Sequence, residues 1–525
     1  MESGKNIINF HNWFDLTTPN VLLCLYNNIM EITMIKLPDN PAQGLTKEAD
    51  IRLAKINILK ENGINPYAPK FDITHSLKDA RDLPMGTKVA IAGRMTFRRM
   101  FGKFSFIQLS DIYARIQVSL SVNEINEEDY KFFKNYIDSG DYVGIKGELY
   151  QTQTGEITVR AFEFKLLSKA MLPLPEKYHG VTDVEIKYRQ RYLDLISNDD
   201  SKHTFITRSN IINHIRQFLV RNDFLEVETP ILQSVACGAA AKPFKTKHNA
   251  LDKEYNLRIS PETYLKQVIA GGIPRVFEIA KNFRNEGMDA MHLQEFTMLE
   301  WYASYWDFRR NIEFVTLLLK ELVQTHCGGL EIEYQGIKLN FDGEWKKVDY
   351  IATLNDLLKT DILSYDNVDD LKEYVKKLNI FNNKEIDEII SLGALFDYMY
   401  KRKIRNEIVQ PTIVYNYPNL VPLARPSDEN PKTIEMFQVL VAGAEIVKAY
   451  SELVDPIIQR KGFEEQMKNK MKGDEEAFEL DEDFLLAMEH GMPPMSGLGL
   501  GIDRLVAILC NQPTLRDIIL FPNMK

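Results

Sequence analysis

The first candidate chemistry lies in two short charged segments, residues 283–286 (FRNE) and 295–300 (EFTMLE), which a turn separates. The β-type runs around them predict a hairpin with charged groups near its ends. Arg284 suits a phosphate or carboxylate oxygen, because its planar guanidinium donates bidentate, charge-assisted hydrogen bonds. It could therefore stabilise charge that develops at a transferring phosphorus. A surface ion pair between Arg284 and Glu286 explains the segment equally well.

The second candidate is a glycine-rich run, residues 497–504 (GLGLGIDR), in which alternating glycines leave one face of a strand without side chains. A planar ligand can lie against such a backbone, with Arg504 stacked on it or reaching a terminal phosphate. The run lacks the Gly-Lys-Ser/Thr of a Walker loop and the spacing of a dinucleotide-binding turn. An ordinary tight strand accounts for the glycines as well.

Together, and in this order, the two segments resemble motifs two and three of the class II aminoacyl-tRNA synthetases. Residues 224–230 (FLEVETP), which follow a long helical pattern, are similar to motif one, which builds the dimer interface in that family. Residues 188–195, 258–266 and 449–453 narrow the resemblance to the lysine-specific members. The resemblance covers residues 63–524, which is most of the chain.

The resemblance implies a cytoplasmic enzyme that activates lysine with ATP and passes the lysyl group to the 3′ end of tRNA(Lys). It also implies a homodimer that forms through the region of Pro230. A lysine pocket must compensate a buried ammonium with carboxylates, because an unpaired buried charge is costly. The matching positions supply Glu452 and Tyr302 for the side-chain ammonium and Glu262 with Glu300 for the amino groups.

The same resemblance assigns the remaining site residues. Its catalytic residues are Arg284 and Arg504, and its ATP-binding set is Arg284, Glu286, His292, Phe296, Gly499, Gly501 and Arg504. Its lysine-binding set is Gly238, Glu262, Arg284, Glu300, Tyr302, Lys448 and Glu452. The cofactor is Mg²⁺, and its implied ligands are Gln438, Glu445 and Glu452.

This sequence departs from the family at the metal positions. The family usually places two carboxylates around its principal Mg²⁺ and then an asparagine, where this chain has Gln438, Glu445 and Lys448. An amide oxygen can ligate a hard cation but brings no charge, so we expect weaker metal binding. Lys448 either donates to the substrate carboxylate or neutralises Glu452 and blocks the pocket. Leu293 and Gln294 likewise replace a usual Asn-Pro pair beside His292.

These departures leave two alternative functions open. One is a catalytically reduced paralogue that binds lysine or tRNA as a sensor or scaffold. The other keeps the adenylation step but transfers the lysyl group to a different acceptor.

The elements that must position these residues fall into two patterns. Residues 88–167 hold five β-type runs with one helical interruption near residues 127–136, which predicts a five-stranded OB-fold β-barrel. Its basic strip consists of Arg94, Arg98, Arg99 and Lys103. The resemblance implies anticodon binding there by Arg94, Phe106, Gln117 and Glu156, although each is as readily barrel core or plain surface.

The rest of the chain mixes helical and strand patterns and predicts an α+β fold with a largely antiparallel sheet and flanking helices. We expect an N-terminal extension with a helix in residues 1–62, the barrel in residues 63–172 and the catalytic domain in residues 173–525. A proline-containing linker, residues 172–175, marks the boundary. Within the catalytic domain, residues 349–405 read as a helical insertion and residues 465–482 as charged surface.

The bulk composition limits the alternatives. The chain has 525 residues, of which 45% are hydrophobic and 26% charged, as in a globular protein of two or three domains. A net charge of -10 argues against nucleic-acid binding by bulk positive charge, so RNA contacts must be local. Residues 21–35 are too polar and short for a transmembrane segment, so no membrane partner is expected. The first thirty residues, without arginine, fit poorly with a transit peptide.

Overall fold

The computed structural model describes residues 37–175, 183–471 and 478–524. The interpretations of residues 21–35, of the first thirty residues and of the middle of residues 465–482 therefore lie outside the described residues. The chain divides at residues 176 and 177 into two compact units. Within the described ranges, no helix is both long enough and apolar enough to cross a membrane.

The first unit is a closed five-stranded barrel with strand order β1-β2-β3-β5-β4. Its strands are β1 (Lys88–Phe101), β2 (Phe104–Ser110), β3 (Arg115–Ser121), β4 (Tyr142–Gln151) and β5 (Ile157–Ser168). Its helices are α1 (Glu48–Glu61), α2 (Leu77–Arg81), α3 (Val122–Ile125) and α4 (Glu127–Tyr136). Alternate residues such as Ile107, Leu109 and Val118 point inward and are fully buried, which is the period of two that a half-buried strand requires.

Helix α1 is attached to this barrel by apolar and charged contacts. Leu59 packs into the barrel core, and Lys55 Nζ lies 2.6 Å from Asp138 Oδ1. Asp138 also binds Lys169, a fully buried lysine whose ammonium lies 2.7 Å from Asp141 Oδ2. Each buried charge is therefore paired, as burial in a low-dielectric core demands.

The second unit is built on an eight-stranded sheet with order β14-β15-β16-β17-β18-β11-β10-β6. Its strands, in chain order, are β6 (Leu225–Glu226), β10 (Arg275–Phe283), β11 (Glu295–Ser304), β14 (Lys346–Asp349), β15 (Thr412–Pro418), β16 (Thr433–Val441), β17 (Ala444–Ser451) and β18 (Met495–Gly501). Five of the strand pairs are antiparallel, and only the two outermost pairs are parallel. Smaller sheets contain β7 (Leu232–Gln233), β8 (Lys245–His248), β9 (Lys253–Leu257), β12 (Glu331–Tyr334) and β13 (Ile337–Asn340).

Helices cover one face of the large sheet and leave part of the other face open. The helices of this unit before the insertion are α5 (Val184–Arg189), α6 (Arg191–Ser197), α7 (Asp199–Val220), α8 (Glu262–Ala270) and α9 (Phe308–Cys327). The last helices are α14 (Pro456–Met471), α15 (Glu482–Glu489), α16 (Ile502–Leu509) and α17 (Leu515–Ile518). Apolar residues of α7, α9 and α16 pack on Leu299, Trp301 and Ala303 of β11 to form the main core. The intervening residues of β11, Met298, Glu300 and Tyr302, consequently face the opposite side.

Residues 349–405, which we predicted to be a helical insertion, run between β14 and β15. They contain α10 (Tyr350–Leu358), α11 (Val368–Leu378), α12 (Asn383–Glu388) and α13 (Leu392–Lys403). Their apolar faces share a second core with β15 and β16. The prediction of an α+β fold with an antiparallel sheet, flanking helices and an N-terminal five-stranded barrel is confirmed.

Candidate active site

A cavity of about 1010 Å³ lies on the open face of the large sheet. Strands β11, β16, β17 and β18 form its floor, and residues of the helical insertion form one wall. All of the residues predicted to bind lysine or ATP line this cavity, as do Gln438 and Glu445. Ser391 and Asp397 of the insertion contribute to this wall.

One end of the cavity is a cluster of buried carboxylates and tyrosines. Glu452 is 2% exposed and Tyr302 is 3% exposed. They can approach each other because Gly497 lies between them: a Cβ there would sit 2.2 Å from Tyr302 Cε1 and 2.3 Å from Glu452 Oε1. The first glycine of the run is therefore required by this close approach. Gly238, at φ +92°, also passes close to Glu262, because a Cβ there would lie 2.9 Å from Glu262 Cβ.

Hydrogen bonds from the described residues reach three of the six carboxylate oxygens of Glu262, Glu300 and Glu452. Ser260 Oγ donates to Glu300 Oε1 at 2.8 Å, and the Tyr302 hydroxyl donates to Glu300 Oε2 at 3.2 Å. The Tyr450 hydroxyl donates to Glu262 Oε1 at 2.6 Å. Neither buried oxygen of Glu452 accepts a hydrogen bond of normal geometry from the described residues: Oε2 contacts the Lys266 ammonium, and Oε1 lies beside the Gly497 backbone without a partner of its own. An orphaned carboxylate oxygen in a closed pocket calls for a cationic ligand.

The ionisation of Glu300 depends strongly on what the cavity contains. Burial, and then the nearby charge of Glu262, raise the pKa of Glu300 to about 8. At neutral pH the Glu300 carboxyl therefore holds a proton for most of the time while the cavity lacks a cation. An incoming ammonium would reverse this effect, because an opposite charge favours the carboxylate.

The other end of the cavity carries two guanidinium groups. Arg284 lies 5.1 Å from the ring centroid of Phe296 and donates from Nη2 to the Ile259 carbonyl at 3.4 Å, while its buried Nε has no partner in the described part of the chain. Arg504 donates from Nη1 to the Glu445 carbonyl at 2.9 Å. Burial lowers the pKa of Arg284. The alternative of a surface Arg284–Glu286 ion pair is wrong, because Arg284 lies at the cavity and forms no such pair.

The loop between β10 and β11 accommodates the unusual Leu293 and Gln294. Leu293 is buried against the main core, and Gln294 donates from Nε2 to the Glu286 carbonyl at 2.9 Å. His292 is exposed, and its Nδ1 lies 2.8 Å from Asp289 Oδ2. The hairpin is thus closed by local hydrogen bonds, with His292 on the rim of the cavity.

The three predicted metal ligands do not form one site. Gln438 Nε2 donates to Glu445 Oε2 at 2.9 Å, and Gln438 Oε1 accepts from the Tyr417 hydroxyl at 2.9 Å. Glu452 stands seven residues beyond Glu445 along extended chain, which separates their Cα atoms by roughly 20 Å at about 3.3 Å per residue. Ligands of one Mg²⁺ lie within about 2.1 Å of the ion, so assigning Glu452 to this set was wrong.

The remaining residues do not fit a protein-built divalent site either. No group of three or more His, Cys, Asp or Glu side chains that could hold a metal occurs in the described ranges. The Gln438 amide oxygen is turned towards Tyr417, which leaves Glu445 as the single carboxylate at this position.

Lys448 lies between the two ends of the cavity. It pairs with Gln438 on one side and Gly499 on the other, and Gly499 in turn pairs with Glu300. No hydrogen bond or ion pair of the Lys448 ammonium exists within the described ranges. Lys448 therefore does not neutralise Glu452 here, because Glu452 is paired with Lys266 instead.

Three residues of this site escaped the sequence analysis. Tyr450 could have been found, because it alternates with Lys448 and Glu452 along β17 and so shares their face. Asp503, at the start of α16, accepts a hydrogen bond from the Thr297 amide at 2.8 Å and forms an ion pair with Arg208. Lys266 is fully buried, and although burial alone would lower its pKa, Glu262 and Glu452 raise it. Its contact with Glu452 joins two segments that are far apart in the sequence, so no short sequence pattern predicts this contact.

The predicted anticodon residues all belong to the barrel unit. Phe106 is half-buried on the outer side of β2, where its ring packs edge-on against Phe104 at 4.8 Å. Gln117 is half-buried on β3, and Glu156 is exposed before β5. Arg94 donates to the Tyr142 hydroxyl and lies 4.4 Å from its ring. None of the four belongs to the barrel core.

Comparisons with known proteins match both units. Residues 183–525 match the family model of class II tRNA synthetases (D, K and N), and residues 89–167 match an OB-fold nucleic acid binding domain. The chain is 42% identical over 487 residues to the lysine–tRNA ligase of Carboxydothermus hydrogenoformans, covering 92% of this chain and 99% of that protein. The Aquifex aeolicus lysine–tRNA ligase is 42% identical, covering 92% of this chain and 80% of its own length. The lysine–tRNA ligase of Bacillus subtilis is 40% identical, and the match covers 92% of this chain and 98% of that protein.

Proposed function

The chain belongs to the class II tRNA synthetases and, among them, to the lysine–tRNA ligases, and we propose that its sheet cavity performs the activation of lysine. ATP and lysine are the substrates, and tRNA(Lys) accepts the lysyl group. The observation that carries this proposal is the polarity of the cavity. Its closed end offers an unpartnered carboxylate oxygen of Glu452, whereas the other end offers the guanidinium groups of Arg284 and Arg504.

We assign the amino acid to the acidic end. The side-chain ammonium binds Glu452 Oε1 beside Tyr302, and the α-ammonium binds between Glu262 and Glu300. Gly238 leaves room for the ligand next to Glu262. A neutral amino acid of the same shape would leave the Glu452 carboxylate buried without a partner, and this penalty gives the pocket its selectivity.

The nucleotide takes the basic end. The adenine ring lies between Phe296 and the strand β18 backbone, which Gly499 and Gly501 leave free of side chains. Glu286 and His292 lie at the rim, within reach of the nucleotide. The Arg284 guanidinium contacts the amino acid carboxylate and the α-phosphate, and the Arg504 guanidinium contacts the outer phosphates.

The reaction then follows from positioning and charge. A lysine carboxylate oxygen attacks the α-phosphorus of ATP, a P–O bond forms, and the bond to pyrophosphate breaks. Arg284 donates to the oxygens on which negative charge accumulates, and Lys448 adds a second cation beside them. In the second step the terminal ribose hydroxyl of tRNA attacks the adenylate carbonyl, its proton passes to the departing phosphate, and AMP leaves with the electron pair of the broken bond.

Lysine-dependent exchange of pyrophosphate into ATP tests the activation step directly. We expect exchange with the unmodified protein and a rise of at least about a hundredfold in the KM for lysine in Glu452→Gln, because a buried ammonium loses its countercharge. The KM for ATP should stay within about twofold. Glu435→Gln, which neutralises a carboxylate outside this cavity, is the matched control. Absence of exchange at saturating lysine contradicts the proposal.

The catalytically reduced paralogue is the second candidate, and one observation favours it. The Gln438–Glu445 pair offers one carboxylate where the family usually has two, with the extra cation Lys448 nearby. This candidate predicts calorimetric binding of lysine without pyrophosphate exchange. Exchange without charging of purified tRNA(Lys) would instead indicate a different acceptor.

Several finer assignments belong to the same proposal. We propose that residues 63–172 form the anticodon-binding domain, in which Arg94, Phe106, Gln117 and Glu156 contact RNA, and that residues 173–525 form the catalytic domain. Mg²⁺ is proposed to enter with the ATP phosphates, with Glu445 as its nearest carboxylate. A cytoplasmic location also remains a prediction, which cell fractionation would test.

A further inference from the structure

A resident ammonium lies directly behind the acidic end of the cavity. Lys266 lies one helical turn after Glu262 on α8, is fully buried, and has its Nζ 2.6 Å from Glu262 Oε1. The same Nζ contacts Glu452 Oε2. Three aromatic rings surround it, with centroids 5.9 Å away for Tyr302, 5.7 Å for Tyr450 and 5.8 Å for Phe484.

The surroundings of Lys266 are those that a ligand ammonium would need. Glu262, Glu452, Tyr302 and Tyr450 all line the cavity, whereas Lys266 does not appear on the described cavity surface. Lys266 therefore holds these groups from behind and contacts them on the side away from the ligand. It takes one oxygen of Glu452 and leaves the other, Oε1, without a partner.

The charges of Glu262, Glu452 and Lys266 together make this end of the cavity selective for a ligand ammonium. When Glu262 and Glu452 are ionised, Lys266 leaves this pair with a single net negative charge, which the side-chain ammonium of the ligand neutralises, while Glu300 supplies the charge for the α-ammonium. Without the resident ammonium, two adjacent buried carboxylates would share a proton between them, because like charges this close do not both ionise. The shared proton would then occupy the oxygens that the ligand needs.

We propose that Lys266 is a positioning residue that determines amino acid specificity, by neutralising Glu262 and by holding Glu452 with one oxygen free for a single ligand ammonium. This inference rests on the proposed lysine-activating function. Lys266, which lies behind the cavity lining, thereby contributes to the selectivity for lysine together with the residues that line the cavity.

Lys266→Met tests the proposal, because methionine keeps an unbranched apolar stem and removes the charge. In pyrophosphate exchange we expect the KM for lysine to rise at least about tenfold, with the KM for ATP and the kcat within about twofold. Lys169→Met is the matched control, since Lys169 is an equally buried lysine between two carboxylates in the barrel unit. It should lower the melting temperature and leave the KM for lysine unchanged.

A double-mutant cycle with Glu262→Gln separates charge compensation from packing. Glu262→Gln with Lys266→Met restores a single negative charge, so its effect on the KM for lysine should be clearly smaller than the product of the two single effects. Multiplicative effects, an unchanged KM for lysine in Lys266→Met, or equal rises in the KM for lysine and for ATP would each overturn the proposal.

The test distinguishes this inference from the proposed function. If the unmodified protein gives no lysine-dependent exchange, the proposed function fails. Calorimetric binding of lysine by the same variants then decides the role of Lys266: unchanged affinity in Lys266→Met overturns it, and a loss of at least about tenfold supports it.

Discussion

Glu300 is the residue whose ionisation should shape the activity of the protein most visibly. Its pKa of about 8 means that the carboxyl is neutral below that pH and ionised above it. Only the ionised form attracts the α-ammonium of lysine, and the bound ammonium in turn stabilises that form. Proton release and lysine binding are therefore coupled.

This coupling gives a pH prediction with a definite sign. As pH rises from about 6 to 8, the KM for lysine in pyrophosphate exchange should fall, approaching tenfold per pH unit well below the pKa and levelling above it. Glu300→Gln should raise the KM and remove this dependence. A profile that is flat over this range in the unmodified protein would show that Glu300 does not meet the ligand's ammonium.

At the scale of elements, three neighbouring strands, β11, β18 and β17, form the acidic end of the cavity around Gly497, which has no side chain. Tyr302 of β11 and Tyr450 of β17 both pair with Gly497 of β18, so their side chains stand on either side of the glycine. Glu452 extends over the same position. The sheet register and the glycine thus define the pocket together.

Gly497→Ala tests this packing. The added methyl would overlap Tyr302 and Glu452, so we expect at least about a hundredfold rise in the KM for lysine, with a smaller effect on the KM for ATP. Gly499→Ala on the same strand is the comparison: its Cβ would lie 3.3 Å from the flexible Met298 Sδ, and because Gly499 belongs to the proposed nucleotide site, it should change the KM for ATP and not the KM for lysine. Equal effects of the two alanines would contradict a specific role for Gly497.

The same strands show what sequence patterns can and cannot predict. Strand alternation with a period of two places Met298, Glu300 and Tyr302 on one face, and this was predictable from residues 295–302 alone. The register shift between Val439 and Leu440 could not be predicted, because it depends on how β16 pairs with β17. Across this shift the Glu445 side chain accepts a hydrogen bond from Gln438, whereas Glu452 is far from both because seven residues of extended chain separate it from Glu445. The pairing of Lys266 with Glu262, four residues earlier on α8, is a local pattern, but its contact with Glu452 joins α8 to the chain beyond β17 and could not be predicted from either segment.

At the scale of the whole molecule, one edge of the large sheet carries apolar surface. Strand β6 is the outermost strand, and Leu225 on it is 51% exposed. Val220, Ile231 and Leu232 nearby in the chain are also exposed. Edge strands with exposed apolar residues are sites of association, and this region contains Pro230, through which we predicted a homodimer.

Leu225→Glu tests that assembly. A carboxylate at an apolar interface should shift the protein from dimer to monomer by light scattering after size exclusion, because its desolvation is not compensated. Leu317→Glu, on the exposed side of α9, serves as the control and should leave the mass unchanged. If the dimer interface stabilises the cavity, the monomer should be less active than the dimer. Because a higher protein concentration favours the dimer, we expect pyrophosphate exchange by Leu225→Glu to recover partly as its concentration rises. A monomeric mass for the unmodified protein at micromolar concentration would contradict the predicted homodimer.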